Sequence, residues 1–248
     1  MTLLIAAETG NIVQVQKLLD EGADPNIKNS IEETALMWAS LNGHTSIVKL
    51  LLNSGADPNI QNTYRSTALI WASSYDIVKL LLNSGANPNI QNNNEDTALM
   101  WPANYGHTDI VELLLNHRAN PNIKNSIGET ALMLASSYRH TNIIDLLLNS
   151  GADPNIQNTN GFTALMWASM YGYTDIMELL TNHMNSIKIQ SRIRGNITRN
   201  IARTQKAYQQ ISTALLPVVF DVSSMIGDYL SRMPYDPEVA RRMKKEEN

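Results

Sequence analysis

Cysteine is absent from the 248 residues, and a disulfide framework, a thiolate metal site and a cysteine nucleophile are excluded with it. No run of 18 apolar residues occurs, so no membrane-spanning helix is expected. The first residues, Met1-Thr-Leu-Leu-Ile-Ala-Ala-Glu8, offer neither a basic segment nor a long apolar one, and do not read as a secretory signal. Charged residues make up 17% of the chain, below the usual quarter, and Asn, Ser and Thr take their place. These absences fit an intracellular, cytoplasmic protein with an ordinary apolar content of 43%.

What charge there is lies unevenly. Residues 1–178 hold 8 Lys/Arg against 17 Asp/Glu. Residues 179–220 hold Lys188, Arg192, Arg194, Arg199, Arg203 and Lys206 and no acid. The last 28 residues are nearly balanced, with 5 basic and 6 acidic side chains. So sharp a shift marks a boundary near Glu178.

The front part repeats itself. Thr34-Ala-Leu-Met-Trp-Ala-Ser returns as Thr67-Ala-Leu-Ile-Trp-Ala-Ser, Thr97-Ala-Leu-Met-Trp-Pro-Ala, Thr130-Ala-Leu-Met-Leu-Ala-Ser and Thr163-Ala-Leu-Met-Trp-Ala-Ser. The threonines step by 33, 30, 33 and 33 residues, and Leu3 to Gly10 supplies a sixth copy at the front. Each unit predicts two short helices and a turn. Thr34 suits an N-cap, Leu36, Ala39 and Ser40 share a helix face, and Gly43 ends the helix. Ile47, Val48, Leu50, Leu51 and Leu52 predict the apolar stripe of a second helix, which Gly55 closes before the turn Ala56-Asp57-Pro58-Asn59. A unit this short cannot bury its own apolar face, so the copies must stack. Three irregularities interrupt the pattern: repeat three lacks the Gly-His-Thr of the inter-helix turn, Pro102 replaces an alanine in repeat four, and Arg139 replaces the turn glycine of repeat five.

Gly-Ala-Asp-Pro-Asn-Ile after Leu-Leu-Leu resembles the ankyrin repeat. The resemblance implies an all-α solenoid of stacked helix-turn-helix units with turn fingers, followed by a C-terminal helical extension. It covers residues 1–184 as six repeats, at about 1–29, 30–62, 63–92, 93–125, 126–158 and 159–184. The family's Thr-Pro-Leu-His is Thr-Ala-Leu-Met here, which loses a Pro at the first helical position and a histidine hydrogen bond worth about 0.5–1.5 kcal/mol. Somewhat weaker individual repeats are expected. The resemblance also implies a protein partner bound on the concave face, lined by first helices and finger tips. At i, i+4 spacing the residues placed there are Trp38 with Asn42, Trp71 with Tyr75, Trp101 with Tyr105, Leu134 with Tyr138, and Trp167 with Tyr171. Trp and Tyr are favoured binding anchors, although Trp in this register also suits packing between repeats. The tips vary more, from Ser30-Ile-Glu-Glu to Thr159-Asn-Gly-Phe, which suggests that specificity lies there. An acidic repeat face favours a basic protein patch and argues against nucleic acid.

No catalytic constellation, metal spacing or phosphate loop is found, and no enzyme or cofactor is expected. His44, His107 and His140 fall at one inter-helix turn position, a structural slot in the family. The Asp-Pro-Asn turns at Asn26, Asn59 and Asn155 resemble targets of the ankyrin-hydroxylating dioxygenase, which would make the chain a substrate.

After Ser186, read as the N-cap of a new helix, the character changes. Ile189-Gln190-Ser-Arg-Ile-Arg194-Gly195-Asn-Ile-Thr-Arg199 resembles the IQ motif, which implies a calmodulin-like partner for a basic amphipathic helix over 186–208. Ile189, Ile193, Ile197 and Ile201 form an i, i+4 stripe. That stripe could instead cap repeat six, and the basic face could instead meet anionic lipid or RNA. Residues 212–248 are expected to hold a short helical segment. Leu216-Pro217 before Val222, Met225, Ile226, Tyr229, Leu230 and Met233 is similar to a degenerate F-box, which implies a substrate-recruiting role in a ubiquitin ligase. The whole layout resembles the ankyrin proteins of giant DNA viruses, implying a monomeric scaffold or adaptor in a host cytoplasm.

Overall fold

Five threonines start five first helices. In the computed structural model, which describes the backbone over residues 2–214 and side chains over 2–207, Thr2, Thr34, Thr67, Thr130 and Thr163 each accept a hydrogen bond from the N–H three residues on. Each thus satisfies one of the donors a helix N-terminus leaves open. The helices are α1 (Leu3–Glu8), α2 (Ile12–Asp20), α3 (Ala35–Leu41), α4 (Thr45–Asn53), α5 (Ala68–Trp71) and α6 (Tyr75–Asn83). They continue as α7 (Met100–Tyr105), α8 (Thr108–Asn116), α9 (Ala131–Ser137), α10 (Thr141–Asn149), α11 (Ala164–Met170) and α12 (Thr174–Ala214). Six helix pairs follow one another, and the described residues hold one isolated bridge, Lys28 to Thr34.

The chain divides into two units, Met1–Lys188 and Ile189–Asn248. In the first, the second helices bury the expected stripe at Ile47, Val48 and Leu51, repeated at Ile77, Val78 and Leu81 and at Ile143, Ile144 and Leu147. Leu50 and Leu52 are half-buried at its margins. Against it pack Ala35, Leu36 and Ala39 with their counterparts in other repeats, so one apolar core runs through the whole array. Met37 and Met133, at the family's histidine position, are fully buried and fill volume where the histidine would bond.

Repeat four starts late. Thr97 does not cap a helix; α7 begins at Met100, three residues on. Pro102 has no N–H to give the Ala98 carbonyl, so the segment opens with a tight turn, Met100 N–H to Thr97 O at 3.2 Å. Pro102 then falls in the first helical turn, where its missing donor costs least.

Ser186 does not start a helix. It lies inside α12, and its hydroxyl donates to the Asn182 carbonyl. Elsewhere a residue of positive φ follows the second helix: Gly55, Gly85, Arg118 and Gly151. Repeat six offers Asn182-His183-Met184 instead, with neither glycine nor proline, and nothing stops the turn-by-turn extension. The segment read as 186–208 is therefore part of a helix that begins at Thr174 and runs to Ala214. The F-box-like stretch from Leu216 to Met233, and nearly all of 212–248, lie outside the described residues.

Candidate functional site

A first helix of seven residues has room for one buried face and one turned away from the core. Ala35, Leu36 and Ala39 take the buried face of α3, which leaves Trp38 half-buried and Asn42 exposed one turn on. The same register gives half-buried Trp71 and Trp167, and exposed Tyr105, Tyr138 and Tyr171. Trp101 departs from its fellow tryptophans and is 56% exposed. Two of the expected i, i+4 pairs stack: Trp101 on Tyr105 with centroids 4.8 Å apart, and Trp167 on Tyr171 at 6.1 Å. Trp38 meets the next repeat's Trp71 edge-on at 6.0 Å. A row of indole and phenol rings therefore lines the first-helix face.

Tyr75 does not join that row. The sequence placed it one turn beyond Trp71 on one helix, but α5 stops at Trp71 and Tyr75 opens α6. With three residues deleted, the chain cannot complete the last turn of α5. Ala72 turns extended, and Ser73 crosses to repeat two, its N–H and hydroxyl both meeting the Ser40 carbonyl.

The deletion also undoes a packing rule. His44 sets its ring against Gly10 of the previous repeat, and its Nε2 lies 3.1 Å from the Glu8 carbonyl. His140 does the same to Gly106 and the Asn104 carbonyl. A Cβ on either glycine would stand under 3.0 Å from the imidazole, so the slot requires glycine. Repeat three has no such glycine, and His107 faces a cavity instead. In the first-helix layer α1 packs on α3, α3 on α5, α7 on α9 and α9 on α11, while α5 and α7 barely meet. The space between them is a cleft of about 430 Å3.

Repeats five and six meet differently again. Arg139 stands where the slot has glycine, at φ 61°, and Tyr173 stands where it has histidine. The Arg139 guanidinium lies over the Tyr173 ring at 5.6 Å, and its Nε donates to Asp175 at 3.2 Å. Desolvation pushes the Asp175 carboxyl up, but hydrogen bonds from Arg139 and the Ile176 N–H, with the Arg139 charge, hold it below its ordinary value.

Asparagines, missed as a group by sequence reasoning, join the repeats on the finger side. The side chain of Asn26 donates to Gly55 O and accepts from Asp57 N–H in the next repeat. Asn59, Asn89 and Asn122 clip their neighbours in the same two-way manner. Asn155 has no following Gly-Ala-Asp turn and bonds only within its own turn, to Asp153. The signal was present as an Asn recurring after each Pro, but a bond to a residue about 30 positions away cannot be read from turn chemistry alone. Adjacent finger tips also join directly, as in Thr63 N–H to Ile31 O and Thr159 N–H to Ile127 O. Ile31, Tyr64 and Ile127 stand exposed on those tips.

In the second unit, the expected contact residues Ile189, Gln190, Arg194, Gly195 and Arg199 all lie on α12 and are exposed or nearly so. Ile189, Ile193, Ile197 and Ile201 expose 58, 53, 50 and 48% of their surface. Arg199 bonds Asn196 on its own helix. A Cβ at Gly195 would meet nothing nearer than the Arg199 guanidinium at 4.0 Å.

Comparison with known proteins agrees with this geometry. The family model for ankyrin repeats matches three times, over residues 3–92, 73–158 and 119–193. The chain belongs to the ankyrin-repeat family. An ankyrin repeat domain from Acinetobacter baumannii is similar at 28% identity, with a TM-score of 0.68 over 73% of this chain and 96% of that one. A second ankyrin repeat protein is 31% identical, with a TM-score of 0.67 over 72% and 96%. A third similar chain comes from the structure of a complex between a predatory endopeptidase of Bdellovibrio bacteriovorus and an immunity protein, at 31% identity, a TM-score of 0.64, and 73% and 96% coverage. No curated protein matches the chain.

Ankyrin repeats are general protein–protein interaction modules, and this fold is typically a non-catalytic binding scaffold. Among the described residues of this ankyrin array no group of three or more His, Asp or Glu side chains converges, and no helix is long and apolar enough to cross a membrane. What the array offers chemically is a row of rings, a set of exposed tips and an acidic surround.

Proposed function

We propose that this ankyrin protein is a non-catalytic scaffold or adaptor that holds a protein partner on its first-helix face. The observation that carries this reading is the aromatic row itself. Trp101, Tyr105, Tyr138 and Tyr171 each expose more than half of their surface, the three tyrosines at one repeat position and Trp101 one turn before it, in a fold whose business is protein contact. Rings of this kind bury large area on binding while freezing few rotamers, so they suit anchors. The surplus of acids in residues 1–178 favours a partner with a basic patch, chiefly by speeding encounter. The test is a quadruple variant with Trp101, Tyr105, Tyr138 and Tyr171 all changed to Ala, compared with the parent in cross-linking and co-purification from host-cell extract. Partners lost from the variant, with its thermal melt unchanged, support the reading. An identical set of captured proteins refutes it.

A second reading concerns the other unit. An exposed isoleucine stripe beside Lys188, Arg192, Arg199 and Arg203 is what a partner-binding helix presents, and its resemblance to the IQ motif suggests a calmodulin-like acidic groove. Calorimetry of the full chain against calmodulin, with and without calcium, tests it. Binding near micromolar that Arg194→Glu abolishes supports this reading, and the absence of heat ends it.

A further inference from the structure

We propose that the cleft between repeats three and four is an anchor pocket for a partner's peptide segment carrying a large apolar side chain with a lysine or arginine within a few residues of it. The proposal rests on the reading of the first-helix face as a protein-binding surface and assigns that surface its centre.

Three features of the cleft go together. It has a built cause, since α5 lacks its last turn and Pro102 delays α7, and these two helices are the adjacent first-helix pair that barely touches. Its size, about 430 Å3, lies within the range in which pockets bury a ligand group, and the first-helix pairs on either side, α3 with α5 and α7 with α9, are packed together. Its walls are more apolar than polar: Ile70, Trp71, Trp101, Pro102 and Tyr105 line it together with the polar Ser66, Ser73, Asn92 and His107, and no Asp, Glu, Lys or Arg does. Trp101, the most exposed tryptophan of the row, stands at this cleft. An apolar group entering here meets aromatic side chains without desolvating a charge.

The basic companion follows from the second cavity. About 360 Å3 of space opens between Tyr75 at the start of α6 and Asp109, Glu112, Leu113 and Asn116 of α8. The two cavities are neighbours along both strands of chain. Ser73 lines the first and Tyr75 the second, and His107 lines the first and Asp109 the second. Two residues of chain span at most roughly 7 Å, so the walls of the two cavities stand side by side, and the proposed peptide spans both. The charged groups lining the second cavity are both carboxylates, and neither forms an ion pair with a described cation. Lys79, one helical turn beyond Tyr75, is the nearest cation in sequence on α6 and also makes no ion pair among the described residues. Two acids and a phenol ring suit an ammonium or guanidinium group, by charge and by the face of the ring. The deletion that opens the cleft is also what moves Tyr75 off the first-helix row and into this second position.

The test uses the full chain and a random dodecapeptide phage library. Selected peptides are synthesised and titrated by the fluorescence of the chain's tryptophans. The decisive variant restores the deleted Gly-His-Thr after Tyr75, which completes the turn and closes the cleft; circular dichroism and a cooperative melt verify its fold. Trp101→Ala, at a half-exposed site, gives the same reading should the insertion fail to fold. The expected result is a set of peptides pairing an aromatic or leucine with Lys or Arg. Their affinity falls about tenfold or more in the insertion variant or in Trp101→Ala. With Asp109→Asn and Glu112→Gln together, the affinity weakens at low salt and loses most of its salt dependence. Peptides without that pairing, peptides that bind the parent and the folded insertion variant alike, or no recovered peptides at all, overturn the proposal. Peptides lost by Tyr138→Ala with Tyr171→Ala but kept by the insertion variant sink the cleft and leave the wider binding face standing.

Discussion

The seam between repeats four and five and the seam between repeats three and four are built from nearly the same residues and end in different states. At four–five, Gly106 seats the His140 ring, α7 packs on α9, and the first-helix layer is continuous. At three–four the glycine is missing, His107 lines an opening, and α5 stands off from α7. Yet the second-helix layer passes through both, with α6 on α8 as α8 is on α10, and Asn89 clips repeat four as Asn122 clips repeat five. The array is therefore held twice, and losing one layer of contact opens a cleft without parting the repeats.

The comparison can be broken most strongly in the core. Leu132 and Leu69 occupy equivalent positions in repeats five and three, and both are nearly fully buried. Leu132→Ala, in a closed seam, is expected to cost about 2–5 kcal/mol in urea denaturation, and Leu69→Ala, which lines the cleft, toward the lower end of that range. Equal losses at the two sites would mean that the cleft is already compensated by other packing. The clips come next. Asn122→Ala removes a donor and an acceptor together and should cost about 1–3 kcal/mol, whereas Asn155→Ala, whose bonds stay within one turn, should change stability by less than about 0.5 kcal/mol. Pro102→Ala sharpens the comparison further. It returns the missing donor at the start of α7, so the helix should lengthen toward Thr97 with a gain of up to about 1 kcal/mol, read as added helical dichroism and a later urea midpoint.

The smallest effect is electrostatic. Burial raises the carboxyl of Asp96 against hydrogen bonds from Asn125 and Asn92, and burial raises that of Glu129 against a bond from Asn158, with the charge of Asp96 adding to the rise. A carboxyl whose folded value is raised binds its proton more tightly in the folded state, so these two groups add stability as pH falls through that value. Asp175 is lowered and works in the opposite sense, losing its contribution as pH falls. Replacing Asp96 with Asn and Glu129 with Gln should raise the neutral-pH urea midpoint slightly and remove their share of the gain on acidification.

Much of this was legible in the residues. The Thr-Ala-Leu-Met copies announced the capped first helices, and the Ile-Val…Leu-Leu-Leu stripe announced the core, because both depend on neighbours within a few positions. Tyr75 was misplaced because a repeat alignment keeps equivalent residues in one column, while a chain three residues short cannot keep the geometry of the column. Ser186 looked like a cap because Ser is common there, but a cap needs a helix to begin, and the preceding one never ended. The lost seat of His107 was invisible for a related reason. A side chain's partner can vanish through a deletion about 30 residues away without any change at the side chain itself.

The asparagine clips have a consequence for how such a chain can change over time. Each one grips main-chain atoms, which every amino acid except proline supplies in the same form. Neighbouring repeats therefore need not match one another's side chains to stay joined on that side. Whole units can be duplicated, exchanged or trimmed, and the face opposite the clips is left free to diverge.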